Sequence, residues 1–253
     1  MPMTPEAELQ IAHTETICRA YLFALQFVIS DTARSPTYFD NHLLAYTSQD
    51  FLQSIASLPL LVRQGIHNVC RRELRFLLEM SIKLCRVQQE QPNSAIDVKL
   101  ASLKDILDTT NISIQNRIAL DLLPATGHGK FRGQVGRFYG EACEYVHLTR
   151  AQVLERMELV DAGRTSGMES AEDIEKLNMV IAKGLSLSLV FLFHSVPQYT
   201  VSDLLVQNDG ASLRWYFAGS KYIADIDEQF DYKAERQTNI AEIKRIRREA
   251  VRF

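Results

Sequence analysis

Apolar residues recur every three or four positions along most of this chain, which is the spacing that amphipathic helices require. Between positions 5 and 30 they are Leu9, Ala12, Ile17, Ala20, Tyr21, Ala24 and Phe27. An alternation of apolar and polar residues, as a half-buried strand would have, never extends beyond a few positions, and the chain has no repeat. The pattern therefore predicts an all-α fold.

Prolines separate the periodic segments, because a proline cannot donate a helical hydrogen bond. We predict helices over residues 5–30, 41–58, 59–91, 94–108, 113–123, 130–148, 149–160, 169–195 and 233–252. Ser94 and Thr149 are expected to cap their helices, and Asn208-Asp-Gly210 is expected to form a turn. The expected architecture is a multi-helix bundle in one domain over residues 1–253, with its core at about 5–196 and a peripheral helical extension at 197–253.

The composition is that of a globular protein, since 46% of the 253 residues are hydrophobic and 23% are charged. A net charge of −3 gives no overall field that would attract nucleic acid or an anionic membrane. The most apolar run, at 185–196, is about half as long as a bilayer requires. We expect a buried core helix there and no membrane association.

The first residues, MPMTPEAELQ, contain acid and no basic residue, unlike a secretory signal or a transit peptide. Four cysteines are scattered without a CxxC pair: Cys18, Cys70, Cys85 and Cys143. This spacing favours reduced thiols over disulfides or a zinc site. We therefore expect a cytoplasmic protein with no metal and no cofactor.

The predicted helix at 59–91 has an apolar face and a charged flank. The face consists of Ile66, Val69, Cys70, Phe76, Leu77, Met80, Leu84 and Val87. Glu73 falls inside it and is expected to be buried and hydrogen-bonded, because an unpaired buried charge costs several kcal/mol. On the flank, Arg75 and Glu79 stand four residues apart and can form an ion pair. At a surface such a pair contributes only about 0.3–0.5 kcal/mol.

The predicted helix at 130–148 carries three glycines, Gly133, Gly136 and Gly140, on one side. Each glycine weakens a helix by roughly 0.5–1 kcal/mol relative to alanine. We expect the stripe to face another helix at close range, within the chain or across a dimer axis.

Tyr139, Cys143 and His147 follow one another at i, i+4 and i+8 along the edge of this stripe. One interpretation is helix packing with a hydrogen-bonded core histidine. The other is a polar cluster in which Tyr139 and His147 meet the ion pair of the earlier helix. We expect this cluster to act as an internal brace. In it, the Glu79 carboxylate would accept hydrogen bonds from Arg75 and from Tyr139 or His147.

The pattern Arg-x3-Glu, followed later by Tyr-x3-(Ser or Cys)-x-Tyr-x-His, resembles a family of uncharacterised bacterial all-helical proteins distantly akin to the HEPN (higher eukaryotes and prokaryotes nucleotide-binding) domains. The matching residues are Arg75, Glu79, Tyr139, Cys143, Tyr145 and His147, with Cys143 where a serine is usual. The resemblance implies a HEPN-like bundle. HEPN-related domains often pair and often occur in defence or toxin–antitoxin settings.

The resemblance favours a non-catalytic interaction or regulatory module that forms a homodimer through a helix face. A protein partner or RNA is the alternative binding partner. The residues expected to bind are Arg75, Glu79, Tyr139, Cys143 and His147.

The competing hypothesis is an enzyme, a degenerate HEPN-type ribonuclease. Active members resemble one another in an Arg-x(4–6)-His motif, whose arginine stabilises phosphate charge while histidine transfers protons. The positions that such an arginine would occupy before His147 are Gly140, Glu141 and Ala142. Catalysis would have to use His147 with Arg75 or Arg137. Glu79 and Tyr139 complete the set of catalytic candidates.

The predicted C-terminal helix is amphipathic and basic. Ile240, Ile243, Ile246 and Val251 trace its apolar stripe. Basic residues are usual on a solvated helix, and they also supply the charge that phosphate contacts need. The candidates for an RNA or partner contact are Lys244, Arg245, Arg247 and Arg248.

Overall fold

The structure is a computed structural model, and it describes residues 4–107, 112–147, 149–163 and 169–253. The α-helices in these ranges are α1 (Pro5–Thr32), α2 (Tyr38–Asn41), α3 (Leu44–Arg63), α4 (His67–Glu90), α5 (Ile96–Leu107), α6 (His128–Cys143), α7 (Arg150–Asp161), α8 (Ala171–His194), α9 (Gln198–Leu205), α10 (Lys221–Glu228), α11 (Ala234–Gln237) and α12 (Ile240–Ala250). Short 3-10 helices span Ile112–Arg117, Ala125–Gly127 and Tyr216–Gly219. Extended pairing in the described residues is limited to one bridge, between Val206 and Ser212. The predicted all-α fold is confirmed.

Helix α8 forms the centre of the core. Every residue from 184 to 195 is buried, and α1 and α4 pack against the helix. By length and apolar character alone α8 could cross a membrane, but 83% of the qualifying stretch is buried inside this structure. The prediction that the apolar run at 185–196 forms a buried core helix is confirmed.

Three buried hydroxyl groups connect α8 to its two neighbours. Tyr21 Oη on α1 lies 2.8 Å from Ser188 Oγ, and Ser81 Oγ on α4 lies 2.6 Å from the same oxygen. Ser81 in turn donates to Leu77 O at 2.7 Å. A buried hydroxyl without a partner costs about 1–3 kcal/mol, so this network favours one register of the three helices.

Buried ion pairs organise the C-terminal helices. Arg236 is completely buried and donates to Asp227 Oδ1 at 2.6 Å and to Asp231 Oδ1 at 3.0 Å. Arg247 donates to the same two aspartates, at 2.6 Å in each case. Burial alone would raise the pKa of Asp231, but the hydrogen bonds and charges of the two arginines lower it. Because the four charges neutralise one another, removing one would leave a buried charge uncompensated.

The boundary between α3 and α4 differs from the prediction. Pro59, predicted to start the long helix, lies inside α3. The break falls at Gly65, whose φ of 64° is accessible to glycine at little cost. The Gly65 N–H donates to Val62 O and the Ile66 N–H donates to Leu61 O, which closes α3 as a Schellman motif.

Other local predictions had mixed outcomes. The Thr149 side chain accepts from the Gln152 N–H at 3.2 Å, so the predicted cap of α7 is confirmed. Ser94 instead donates to Gln91 Oε1 at 2.8 Å. The turn at 208–210 is confirmed, with Gly210 at a φ of 80°. The helix predicted at 113–123 is a 3-10 helix over Ile112–Arg117. The helix predicted at 233–252 is divided into α11 and α12, and α10 was not predicted.

The buried face of α4 is rotated relative to the predicted one. Phe76 and Ile66, both predicted to be buried, are 47% and 42% exposed, whereas Leu74 and Leu78 are buried. Glu73 is only partly buried, but it accepts from Ser54 Oγ at 2.9 Å, so its predicted hydrogen bond is confirmed. The rotation arises because α4 packs against α3 and α6 as well as α8, which widens its buried arc.

The glycine stripe of α6 does not face another helix within the described chain. A Cβ atom built at Gly136 or Gly140 would have no described atom within 4 Å, and one at Gly133 would meet only the Arg137 side chain at 3.6 Å. The intrachain form of the prediction is therefore wrong, and only the dimer form stays open. A glycine that does admit a neighbouring helix closely is Gly184 on α8, where a Cβ would lie 2.4 Å from Phe138 Cζ.

This contrast leads to opposite predictions for two alanine substitutions. Gly184→Ala should lower the free energy of unfolding by about 1–3 kcal/mol, because the buried Phe138 ring must move. Gly136→Ala should raise it by about 0.5–1 kcal/mol, because alanine favours the helix and meets no obstacle. Urea unfolding of both variants tests the pair. A destabilised Gly136→Ala protein would indicate a close contact that the monomer lacks.

Two buried histidines are hydrogen-bonded through both ring nitrogens. His42 Nδ1 accepts from the Leu44 N–H at 3.2 Å, and its Nε2 donates to Ser195 O at 3.2 Å. His194 Nδ1 lies 2.7 Å from Val190 O, and its Nε2 accepts from a backbone N–H at 3.1 Å. One donor and one acceptor in each ring define the neutral form. Burial lowers the pKa of both histidines, that of His42 to about 4.

We therefore predict a loss of stability as the pH falls from 7 to 5. The unfolded chain takes up protons on histidine near pH 6.5, whereas folded His42 takes one up only near pH 4, and this difference amounts to about 2 kcal/mol at pH 5. In urea unfolding at several pH values, His42→Gln should weaken the decline. His147→Gln, at an exposed histidine, is the matched control and should leave the decline unchanged. Equal slopes for wild type and His42→Gln would contradict this account.

Candidate functional site

Three of the four predicted cluster residues meet where α6 packs against α4. Arg75 donates through Nη2 to Tyr139 Oη at 2.8 Å, and Tyr139 Oη lies 3.4 Å from Glu79 Oε2. The ion pair between Arg75 and Glu79 is 3.7 Å long. The Arg75 guanidinium carbon also lies 4.9 Å from the centre of the Tyr139 ring, within the range of a cation–π contact.

The fourth member of the observed cluster is Lys83, which the sequence analysis did not select. Its Nζ donates to Glu79 Oε1 at 2.6 Å, so the Glu79 carboxylate lies between two cations and a phenol. The sequence did indicate this ion pair, because Lys83 stands four residues after Glu79, just as Glu79 stands four residues after Arg75. The side chains of Arg75, Glu79 and Lys83 remain 16–31% exposed, so the pairs are partly screened by solvent.

Electrostatics keep Arg75, Tyr139 and Cys143 in their ordinary protonation states. Burial raises the pKa of Tyr139, although the hydrogen bond from Arg75 opposes the shift. Burial also raises the pKa of the half-buried Cys143 thiol, so this cysteine is a neutral thiol rather than a reactive thiolate. Burial would lower the pKa of Arg75, but its hydrogen bond to Tyr139 raises it instead. None of these groups is prepared as a base or a nucleophile at neutral pH.

His147 does not join the cluster in the described structure. Helix α6 ends at Cys143, and residues 144–147 form turns, so the i+8 position no longer lies on the helix face. The His147 side chain is exposed, and no described hydrogen bond or ion pair links it to Arg75, Glu79 or Tyr139. The expectation of a buried, bracing histidine is wrong because the helix was predicted to continue through residue 148.

Tyr145 attaches this turn to α4. Its ring lies under Arg71, with 4.7 Å between the guanidinium carbon and the ring centre, and its carbonyl oxygen accepts from Arg72 Nε. Burial raises the pKa of Tyr145. Both arginines lie about one turn before Arg75, so one flank of α4, from Arg71 to Glu79, faces α6 and its terminal turn.

The candidate RNA or partner contact on α12 is smaller than predicted. Arg247 is buried between Asp227 and Asp231 and is not accessible to a partner. Arg245 is paired with Glu242 at 2.6 Å and with Glu249 at 2.7 Å.

The other two cations of α12 differ from each other. Lys244 lies 3.6 Å from Asp231 Oδ2, whereas Arg248 bonds, among the described residues, only to a backbone carbonyl, at 3.1 Å. Arg247 is buried because it pairs with acidic residues far away in the chain, and the local charge pattern could not indicate this pairing.

No three His, Cys, Asp or Glu side chains in the described part of the chain lie together as metal ligands would.

We predict that the cluster is a brace and that His147 is not part of it. Tyr139→Phe should lower the free energy of unfolding by about 1 kcal/mol, because Arg75 and Glu79 lose a shared partner at a partly exposed site. His147→Ala should change it by less than about 0.5 kcal/mol. Urea unfolding measures both, and a large loss in His147→Ala would place the histidine back in the cluster.

No family model, no curated protein and no solved structure matches this chain. The resemblance to HEPN-related proteins stays a prediction, and it depends on the short motif alone. The function must therefore be inferred from the geometry of the chain itself.

Proposed function

We propose that this chain is a non-catalytic helical interaction module, related to HEPN domains, that forms a homodimer through α7. The observation that carries the proposal is an apolar stripe on α7 that no described element covers. The stripe consists of Val153, Leu154, Met157 and Val160, whose exposed fractions are 42%, 42%, 55% and 68%. Apolar side chains grouped on one helix face in this way are typical of a protein–protein contact.

The charges of α7 favour a second copy of the same helix as the partner. At 100° per residue, Arg150 and Asp161 fall within about 20° of each other, on the same side as the apolar stripe. Both are exposed, and neither has an ion-pair partner among the described residues. One end of the stripe is therefore positive and the other negative, which suits antiparallel pairing about a two-fold axis.

The register of this pairing follows from the sequence. An axis between residues 155 and 156 places Leu154 opposite Met157 of the second copy. The same axis places Arg150 opposite Asp161 of the second copy. Apolar and charged contacts are thus satisfied together, as an isologous interface requires.

The expected affinity is modest. Stable dimers usually bury about 800 Å² on each partner, more than one face of a helix of 12 residues supplies. A dimer held by α7 alone should therefore dissociate on dilution. This property suits a regulatory module in a bacterial defence or toxin–antitoxin setting, where association responds to concentration, and a cytoplasmic location is part of the same proposal.

The observed cluster on α4 and α6 supports the non-catalytic form of the proposal. Arg75, Glu79 and Tyr139 are bonded to one another, and His147 lies outside that set. The ribonuclease alternative would need His147 to share a cleft with Arg75 or Arg137, and no described bond supports that arrangement. We therefore favour the module.

We predict that Met157→Glu shifts the protein to the monomer, because it places a charge at the centre of the stripe. Light scattering with size-exclusion chromatography over a concentration series measures the shift. Leu60→Glu on α3 is the matched control, since Leu60 is 66% exposed but lies outside α7. Equal behaviour of the two variants would count against α7 as the interface.

A charge exchange tests the antiparallel register directly. Arg150→Asp and Asp161→Arg should each weaken the dimer, because each places like charges opposite one another. The double variant should restore it, since the opposite pairing is then re-formed. Two additive losses, with no restoration, would exclude this register even if α7 remains in the interface.

A further inference from the structure

An open groove of about 580 Å³ lies between α1, α6, α8 and the C-terminal residues. Its volume falls within the range of small-molecule sites, roughly 300–1,000 Å³. It is separate from the cluster on α4 and α6 and from the α7 stripe, neither of which contributes a lining residue.

Apolar side chains from three elements form the walls of the groove. Phe138 is buried on the α6 side, and its ring fills the space that Gly184 leaves on α8. Opposite, Tyr216 lies between His13 and Phe253, with ring-centre distances of 5.6 Å and 5.8 Å. These three rings, tilted relative to one another, form an aromatic row along the groove.

The charged side chains of the groove are mainly cationic. Lys183 and Arg252 both line it, and neither has an ion-pair partner among the described residues. Arg252 acts electrostatically on Tyr216, whose pKa is raised by burial and lowered in part by the arginine. Among the lining side chains, the two cations stand against one carboxylate, that of Glu141.

Three hydrogen bonds hold parts of the lining in place. The Arg252 N–H donates to Gly219 O at 2.7 Å, and the Lys221 N–H donates to Phe253 O at 2.8 Å, so the main chain of the C-terminal residues is anchored beside the groove. Gln134 Oε1 accepts from Tyr222 Oη at 2.9 Å, which leaves the Gln134 amide N–H groups available as donors. The site therefore presents two cations and the N–H donors of Gln134 beside apolar walls.

We propose that this groove binds a small amphipathic organic anion, an apolar hydrocarbon or aromatic body that carries one carboxylate. The apolar body would lie between Phe138 and the aromatic row, and the carboxylate would be bound by Lys183 and Arg252. An uncharged polar ligand would leave both cations unpaired, and a multiply charged ligand would be repelled by Glu141 and would not bury the apolar walls. The inference does not depend on the proposed α7 dimer.

Titration calorimetry of the full chain with decanoate tests the proposal, with octanoate and decanol as comparisons. Decanoate should bind more tightly than octanoate by roughly fourfold for each added methylene, the value that corresponds to about 0.8 kcal/mol per buried methylene. Decanol, which has the chain but not the charge, should bind at least tenfold more weakly than decanoate. Failure of decanoate to bind, or decanol binding as tightly, would overturn the proposal.

Three variants assign the charge recognition to this groove. Lys183→Gln and Arg252→Gln should each weaken decanoate binding by fivefold or more. Arg248→Gln removes an equal charge from α12 at a residue outside the lining and should leave the affinity unchanged. Equal losses in all three variants, or none in the first two, would place decanoate elsewhere. Met157→Glu should bind decanoate as the wild type does, which separates this test from that of the dimer.

Discussion

The packing of this protein depends on the burial of the C-terminal half of α8, because a segment in which every residue from 184 to 194 is buried must satisfy its polar groups within the core. Ser188 does so by bonding to Tyr21 on α1 and to Ser81 on α4. A shift of α4 by one residue would separate Ser81 from this network and leave a hydroxyl unsatisfied, at about 1–3 kcal/mol. Apolar contacts alone tolerate such shifts far better, since they are not directional. The hydroxyl network therefore fixes which face of α4 points inward.

The orientation of α4 in turn decides what α6 meets. With Ser81 directed to α8, Arg75 and Glu79 fall on the flank toward α6, where Tyr139 lies between them. On the other side of α6, Phe138 packs against Gly184 of α8, and this close approach is available only to glycine. One helix thus contributes neighbouring residues to the polar cluster and to the groove. Both features follow from the register that the core hydroxyls impose.

The sequence predicted those parts of the molecule that depend on local pattern. The burial of α8, the Thr149 cap and the meeting of Arg75, Glu79 and Tyr139 all follow from helical spacing. The failures have a common cause, which is information from distant parts of the chain. Arg247 seemed to be a surface cation because Asp227 stands 20 residues earlier, in another helix. His147 seemed to continue a helix face because nothing near it indicated that α6 ends at Cys143.

The distribution of unpaired groups separates structural from functional surfaces. In the cluster on α4 and α6, the carboxylate of Glu79 and the hydroxyl of Tyr139 are already bonded, so a ligand there would first have to displace an internal partner. On α7 the reverse holds, since four apolar side chains and two end charges have no described partner. The groove combines apolar walls with two unpaired cations in the same way. Binding gains most from groups that water alone satisfies. This is why we propose that the motif that resembles HEPN proteins positions helices and that the other two surfaces carry recognition.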